Sequence, residues 1–533
     1  MRFTRTATLE YGGLQMKLLR WIALFLISVP AIACLQRRAP LRTAEGAPGA
    51  PELRALWVDG FHAGIRSAEE VAQLVRDAKR ANVNTLIVQV RRRGDALYAK
   101  SFEPSVEDPA YDGKFDGLAA ILDAAHAEGI QVHAWINAMP IWRDAPPPND
   151  PRHVYNQHGP AQAGETNWLT RSPKGETRFP VGYFLDPGHP GAAAYLLEVY
   201  LNIVRNYPVD GIHFDYIRYP ETEERLERGA GVGYNETSLA RFRRATRRTD
   251  TPSPDDNRFT EWRRQQVTQL VRRIYIEAKA INPRIKVSGA VIAWGRPPQR
   301  ERDFLDMSPG QRIFQDWHGW LKEGILDLAI PMNYARGADP TVRGWFDGWI
   351  KFEKKYRHGR QLAVGIGAYL NSKESNLAQL GRVRQPEGKG RVNGMSFFSY
   401  ASMYAGPRQE PSAPPQAPAA DRFDYLSQGA DAPFERPAPV PPMPWIDNAA
   451  TGWIAGVVLG PDGKGIDGAV VEMRRNGWSP FRRTVRTMTD GNGWFGFAGV
   501  KPGRYDVRLG RGARAFVQVA AGKVGRAELW AVK

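Results

Sequence analysis

Ionisable and apolar side chains alternate in the segment 209–220, VDGIHFDYIRYP. Ile212 and Phe214 alternate with His213 and Asp215, a pattern typical of a strand with two different faces. Ionisable groups are costly to bury unless they pair with each other or contact a ligand. We therefore predict that Asp215 lies at the mouth of a strand, where its carboxyl group can act in catalysis.

Arg218, three residues further on, bears on the role of that carboxyl. A neighbouring guanidinium favours the ionised form, which suits a nucleophile or a base and not a general acid. The structural alternative is a buried ion pair between Asp215 and Arg218 that only holds the loop. Continued alternation would put residues 213, 215 and 217 on one face of the strand.

Polar and aromatic side chains follow several other apolar segments of the chain. Such groups, together with a carboxylate, suit a polyhydroxylated ligand such as a glycan, because sugar rings stack on flat apolar faces. The predicted ligand-contacting residues are Trp57, Arg91, Asp95, Tyr98, His133, Trp135, Asn137, His213, Arg218, Tyr219, Asn333 and Tyr334.

Hydrolysis of a glycosidic bond requires a second carboxyl group. Asp316 is the first candidate, because Trp317 and Trp320 lie beside it and an aromatic setting raises a carboxyl pKa towards that of a general acid. The alternative for Asp316 is a helix N-cap. The remaining candidates for the second carboxyl are Asp95, Asp59, Glu221 and Asp186.

Eight apolar segments separated by amphipathic helices must position these residues. Ser67 and Glu70 form a capping box, which predicts the start of the first helix. Repeated strand–helix alternation predicts an α/β fold, a closed (β/α)8 barrel of the TIM type over residues 52–404, with the site at the carboxyl ends of the strands. The eighth helix has a single weak candidate, residues 421–429.

The C-terminal part of the chain differs from the barrel region in composition and in the pattern of its apolar residues. Residues 405–448 are rich in proline and predict a semi-rigid linker. Residues 449–533 show short alternating segments with Asp-Gly and Asn-Gly turns, which predict a small antiparallel β-sandwich. The motifs G-x-V, T-D-x-x-G-x-F-x-F and P-G-x-Y-x-V resemble the transthyretin-like or carboxypeptidase regulatory-like module. We predict that this module is dispensable and that a chain ending near Pro441 stays folded and active.

The N-terminal segment has the pattern of an export signal. In residues 16–34, MKLLRWIALFLISVPAIAC, a charged start precedes a short apolar run and small residues before the only cysteine, Cys34. This pattern predicts a signal peptide with a lipobox over residues 1–34, translation from Met16, and lipidation of Cys34. Residues 35–51 then form a tether. The expected location is a bacterial cell envelope, with the lipid anchor in a membrane facing the periplasm.

Several motifs follow one another in the order of a known family. They are RALWVDG, NTLIVQVRRRGDALY, FDGLAAILDAAHAEGIQVHAWIN, VDGIHFDYIRYP and IPMNY. Over residues 52–402 the chain resembles the glycosyl-hydrolase-like family ten, of the divisome-localised glycoside hydrolase type. The resemblance implies a hydrolase-like barrel and a peptidoglycan-type or related amino-sugar substrate. The chain departs from chitinase-like barrels, because Ile217 stands where their general-acid glutamate would be.

Charge and histidine spacing narrow the set of partners. The net charge is +17, but the basic residues are spread along the chain, which favours an acidic membrane or wall polymer over nucleic acid. The spacing of the histidines fits no metal-binding motif, so we expect no metal. We also expect no cofactor. The protein is expected to be a monomer. Two functions remain open. One is a glycoside hydrolase, and the other is a non-catalytic glycan-binding lipoprotein, distinguished by whether Asp215 faces a second carboxyl.

Overall fold

The barrel predicted from the sequence is confirmed. The computed structural model describes residues 49–531 except 112, 144, 223–228, 389, 406–420, 430–431, 478–482 and 511. Eight parallel strands close in sequential order. They are β1 (Leu53–Val58), β2 (Thr85–Arg91), β3 (Gln131–Asn137), β4 (Gly211–Asp215), β5 (Lys286–Ile292), β6 (Leu328–Met332), β7 (Gln361–Gly367) and β8 (Gly394–Phe398).

Helices follow the strands on the outside of the barrel. They are α1 (Ala68–Arg80), α2 (Gly117–Ala127), α3 (Pro190–Asn206), α4 (Asn257–Ile281), α5 (Trp317–Glu323), α6 (Pro340–Lys355), α7 (Lys373–Arg384) and α8 (Asp424–Ser427). Ser67 caps α1 by accepting from Glu70 N, as its capping-box spacing predicts. The eighth helix is a single turn inside the predicted range. Further short helices are Val154–His158, Glu236–Thr246, Ser308–Gln311 and Pro444–Asp447.

Side chains of alternate strand residues form an inner and an outer layer. Trp57 and Trp135 belong to the inner cluster that fills the barrel, whereas Phe214 of β4 packs outward on Tyr200 of α3, with ring centroids 5.0 Å apart. The predicted alternation holds up to Asp215, where the strand ends. Tyr216 then adopts a left-handed conformation with φ of 49°. Residue 217 consequently joins the outer core, so its predicted place beside residues 213 and 215 is wrong.

Residues 432–448, here called the strap, cross the N-terminal end of the barrel. Val440 packs against the inner cluster, and Gln361 at the start of β7 donates to the Pro441 carbonyl at 2.9 Å. Trp445 donates its indole N–H to Asp327 just before β6, at 2.7 Å. The strap therefore closes the end of the barrel opposite the carboxyl ends of the strands.

The C-terminal module consists of two small sheets. Its strands are β9 (Gly452–Leu459), β10 (Val470–Arg475), β11 (Val485–Met488), β12 (Trp494–Val500), β13 (Gly503–Leu509), β14 (Arg514–Val519) and β15 (Val524–Trp530). The sheet β11-β10-β13-β14 is antiparallel. In the sheet β12-β9-β15, however, β9 and β15 are parallel, so the prediction of a purely antiparallel sandwich is wrong for this pair.

Polar contacts join the module to the barrel along α4. Trp494 donates to Glu277 at 2.9 Å, and Arg526 pairs with the same carboxylate at 2.7 Å. Arg273 pairs with Asp490 at 2.8 Å. The module is therefore docked on the outer wall and does not approach the mouth through these contacts.

The predicted export signal, with Cys34, lies outside the described residues. Within the part of the chain that is described, no helix combines the length and apolar character needed to cross a bilayer.

Candidate active site

Asp215 is the last residue of β4 and is only 6% exposed. Its carboxylate accepts from the Trp135 indole N–H at 3.1 Å and from the Tyr216 backbone N–H at 2.7 Å. Burial raises the pKa of Asp215 to about 6, although the charge of Arg218 and these hydrogen bonds lower it. The sequence predicted that Arg218 would keep this carboxyl ionised at neutral pH. Loss of hydration outweighs the attraction between the two charges and raises the pKa, but a carboxyl with a pKa of about 6 is still mostly ionised at pH 7.

Two neutral histidines, His213 of β4 and His133 of β3, are buried inside the barrel. His213 and His133 both place Nδ1 against Ser288 Oγ, at 2.9 and 3.2 Å. Trp57 donates its indole N–H to His213 Nε2 at 3.1 Å, so the proton of this imidazole must be on Nδ1. Burial lowers the pKa of His213 to about 3 and that of His133 well below its usual value. Trp57, His133 and His213 are thus structural residues inside the barrel, and the prediction that they contact ligand is wrong.

Aromatic rings and one guanidinium surround the carboxyl. Arg218 stacks on Tyr216 and Trp294, at 4.5 and 5.2 Å from the ring centres. Tyr334 packs on Phe398 at 5.7 Å, and burial is the main cause that raises the Tyr334 pKa well above 10, with the charge of Asp215 adding to it. Arg218, Tyr334 and Trp135 therefore share the surroundings of Asp215, and their contact with ligand stays a prediction.

Asp59, one of the second-carboxyl candidates, forms an ionisable pair with His62 at the carboxyl end of β1, and this pairing was not predicted from the sequence. Asp59 lies 2.6 Å from His62 Nδ1 and accepts from Ser399 Oγ at 3.3 Å. Burial alone would raise the Asp59 pKa, but the hydrogen bond and charge of His62 outweigh it and the pKa is lowered. The same pairing raises the pKa of His62, whose side chain is 54% exposed. The only signal was the short spacing in DGFH after the first apolar segment.

Asp59 and Asp215 are connected through aromatic residues. Ser399, which donates to Asp59, follows Phe398 in the chain. The Phe398 ring packs on Trp135 with centroids 6.3 Å apart, and Trp135 is the donor to Asp215. Both carboxylates therefore belong to the mouth at the carboxyl ends of the strands.

Three predicted ligand-contacting residues at the end of β2 and in the loop after it serve the structure instead. Arg91 is fully buried and pairs with Glu103 at 2.7 Å. Asp95 accepts from the backbone N–H of Arg93 at 2.9 Å and shapes its own loop. Tyr98 is buried edge-on against Tyr207, 5.7 Å away. These groups were predicted to meet ligand because their partners are not visible as a sequence pattern.

Asn333, Tyr219 and Asn137 also point to protein partners. Asn333 donates to Glu353 of α6 at 3.3 Å, which turns its amide away from the mouth. The Tyr219 hydroxyl, fully buried, donates to Asp186 at 3.2 Å. Asn137 accepts from the Trp135 indole at 2.9 Å and so positions the residue that contacts Asp215.

Asp316 caps α5, where its carboxylate accepts from Gly319 N at 2.9 Å. Burial raises its pKa to about 6, and the charges that act on it are Arg264, Glu261 and Glu323. Those residues belong to the outer helices α4 and α5, whereas Arg218 is the charge that acts on Asp215. The structure thus supports the helix-cap alternative and corrects the predicted pairing of Asp316 with Asp215.

The other second-carboxyl candidates are similarly engaged. Asp186 is fully buried and accepts from Ser238 Oγ at 2.9 Å, and Glu221 lies 3.5 Å from Arg218. Neither group has a described contact with Asp215.

Sequence comparison relates the chain to known proteins. The profile of the family glycosyl hydrolase-like 10 matches residues 52–344. Glycosyl hydrolase YngK of Bacillus subtilis (strain 168) is 24% identical over 461 residues, covering 80% of this chain and 78% of YngK. Glycosyl hydrolase DigH of Escherichia coli (strain K12) is 25% identical over 296 residues, or 50% of this chain and 60% of DigH.

A solved structure with a similar fold is the glycoside hydrolase domain of PgaB (BpsB) from Bordetella bronchiseptica. It is 15% identical, with a TM-score of 0.48, over 65% of this chain and 94% of that domain. The family profile covers more than half of the 533 residues, including every strand from β1 to β6. The chain belongs to the glycosyl hydrolase-like 10 family.

Proposed function

We propose that this protein is a glycoside hydrolase that cleaves an amino-sugar glycan of the peptidoglycan type at the mouth of the barrel. The observation that carries the proposal is the buried carboxyl of Asp215, whose pKa is raised to about 6 at the carboxyl end of β4. A group with a pKa near the working pH is efficient in proton transfer. TIM-type barrels hold their active sites at this end.

Asp59 is the second carboxyl in this proposal. The environments of the two groups move their pKa values in opposite directions, upwards for Asp215 and downwards for Asp59. When two pKa values are separated in this way, the group with the raised pKa serves as the acid and the group with the lowered pKa is its ionised partner. Asp215 donates a proton to the leaving glycosidic oxygen as its bond to the anomeric carbon breaks, and ionised Asp59 stabilises the positive charge that develops on the sugar ring. A water molecule then adds to the anomeric carbon and returns a proton to Asp215. This replaces the expectation that Asp215 is the nucleophile or base.

The surroundings suit a sugar polymer with acidic groups. Tyr369 is 41% exposed and packs edge-on against Tyr334, which continues the aromatic surface outward from Asp215. Arg218 supplies a positive charge at the same place. The net charge of +17 adds long-range attraction to an anionic wall polymer.

We further propose that the chain acts as a monomer, exported and anchored to the membrane by lipid on Cys34. The support is the segment 16–34, with its charged start, apolar run and terminal cysteine. Cys34→Ser should move the protein from the membrane fraction into the soluble periplasmic fraction. Unchanged fractionation of this variant would contradict the lipid anchor.

The activity test uses the full mature chain with intact wall glycan and with peptide-stripped glycan strands. Mass spectrometry of the soluble products should show cleaved sugar fragments with the wild type and with Asp316→Asn, and none with Asp215→Asn or Asp59→Asn. Asp316→Asn is the matched control, because it removes a carboxyl with a similarly raised pKa outside the mouth.

The competing function is glycan binding without cleavage. It is favoured by the described hydrogen bonds of the Asp215 carboxylate, which come from Trp135 and Tyr216 and from no second carboxyl. Retention of glycan by the wild type without any product, and equal retention by Asp215→Asn, would establish this alternative and refute the hydrolase.

A further inference from the structure

Two histidines and a glutamate meet on the outer wall of the barrel, away from Asp215. Glu301 lies in a short 3-10 helix before α5, His318 lies in α5, and His358 lies between α6 and β7. One potential ligand atom of each residue lies within 4.8 Å of the other two. Three segments far apart in the sequence thus supply one compact group of nitrogen and oxygen atoms.

A hydrogen bond within this group accounts for one of its three distances. His318 Nε2 and His358 Nε2 are 2.9 Å apart, which one shared proton would explain. Glu301 Oε1, however, is 3.7 and 3.6 Å from the same two nitrogens, beyond the ~2.7–3.2 Å of a hydrogen bond. The oxygen faces both nitrogens without bonding to either.

A shared metal ion accounts for all three separations. Zinc binds His nitrogen and carboxylate oxygen at about 2.0–2.2 Å in tetrahedral geometry, which puts neighbouring ligand atoms about 3.3 Å apart. The observed separations of 2.9, 3.6 and 3.7 Å lie on both sides of that value. Two His and one carboxylate are also a ligand set that zinc takes in proteins.

The side chains around the group hold it in place. The His318 ring is 6% exposed and packs against Phe304 and Phe352, at 5.3 and 5.7 Å. Lys322 donates to Glu301 Oε1 at 2.8 Å, and carboxylates that bind a metal are commonly oriented by such a second partner. Lys322 also brings a positive charge, so binding must overcome its repulsion.

We propose that Glu301, His318 and His358 form a divalent-cation site of the zinc type. Its fourth coordination position opens to solvent, because the side chains of Glu301 and His358 are 35% and 22% exposed. The site lies on the outer wall and contributes no group to the mouth. Its role is to hold α5 against the 3-10 helix that precedes it and against the segment between α6 and β7. It is independent of the proposed glycan cleavage.

Metal titration of the full, untagged chain tests the site after treatment with a chelator. One Co²⁺ per chain should bind with the visible absorption of a tetrahedral complex, and Zn²⁺ should displace it and raise the melting temperature. In His358→Ala the Kd for Zn²⁺ should rise at least about 100-fold, because even loss of an outer-shell partner costs about 10–100-fold.

The control is His126→Ala, which removes another partly exposed histidine that pairs with Asp210 elsewhere. It should bind Zn²⁺ as the wild type does. Glu301→Gln keeps the side-chain size and should also weaken binding, and both site variants should melt like the wild type in chelator. Equal Zn²⁺ binding by His358→Ala and the wild type, or no binding by the wild type at micromolar Zn²⁺, would overturn the proposal.

Discussion

Asp215→Asn should make the protein more stable at pH 8 while removing its activity. The carboxyl ionises less readily in the folded protein than in the unfolded chain, because burial raises its pKa from 3.8 to about 6. Well below pH 3.8 it is protonated in both states and costs nothing. As the pH rises from about 4 to 6 the unfolded chain ionises first, so the folded state loses stability, and the full cost is present above pH 6.

The magnitude follows from the two pKa values. The difference between 3.8 and about 6 corresponds to about 3 kcal/mol of unfolding free energy. Asparagine has one acceptor oxygen and keeps the bond from Trp135, but it loses the bond from Tyr216 N, which costs about 1 kcal/mol. We therefore expect a net gain of about 2 kcal/mol at pH 8, and a net loss of less than about 1 kcal/mol at pH 4, where the lost hydrogen bond is no longer offset.

The assay is urea unfolding of both proteins at pH 4, 6 and 8, combined with glycan cleavage per folded molecule. Asp316→Asn is the matched control. It removes a carboxyl whose pKa burial also raises to about 6, and asparagine caps a helix as well as aspartate does. This variant should show a similar pH-dependent gain in stability with full activity.

Two results would refute the reasoning. If Asp215→Asn is less stable than the wild type at pH 8, the attraction to Arg218 outweighs burial and the carboxylate is a structural partner. If its cleavage rate per folded molecule is unchanged, Asp215 is not the acid of the reaction.

Three further predictions concern pH, the buried ion pair and the module. In the wild type, kcat/KM should fall as the pH rises through about 6, since Asp215 must be protonated to donate; a rate that rises over this range would exclude it as the acid. Arg91→Met should lower the unfolding free energy by about 3–5 kcal/mol, because it leaves Glu103 charged and buried; a loss within about 0.5 kcal/mol, typical of a surface site, would contradict this. A chain shortened to end at Asn448 should keep the strap, melt higher than one ending at Pro441 and retain activity; equal melting temperatures would show that residues 442–448 add no stability.

The barrel was predictable because its signals are local. The buried residues of α1 include Val71, Leu74, Val75 and Ala78, the helical stripe expected from their spacing. Continuous apolar strands between such helices leave few arrangements other than a parallel sheet with both faces covered. The strap was not predictable in the same way, since Val440 reaches the barrel interior through contacts with strands hundreds of residues away in sequence.

The position of Asp215 was predictable, but its electrostatic environment was not. Period-2 alternation in β4 and the strand end are properties of neighbouring residues. The pKa of Asp215 depends instead on how much water the side chains from β3, β6 and β8 exclude. In the folded protein this loss of hydration raises the pKa more than the charge of Arg218 lowers it. In the same way, the sequence shows Arg91 as a free cation, and only the fold pairs it with Glu103.

The sequence by itself determined the barrel, the existence of a second all-β module, and the strand end at which a carboxyl meets the mouth. Each of these follows from patterns within a dozen residues, which local backbone geometry converts directly into structure. The tertiary structure decided which polar groups are engaged by protein partners, that Asp59 pairs with His62, and that Glu301, His318 and His358 come together. Those outcomes depend on distances between segments far apart in the chain, and burial and charge act over such distances only once the chain is packed.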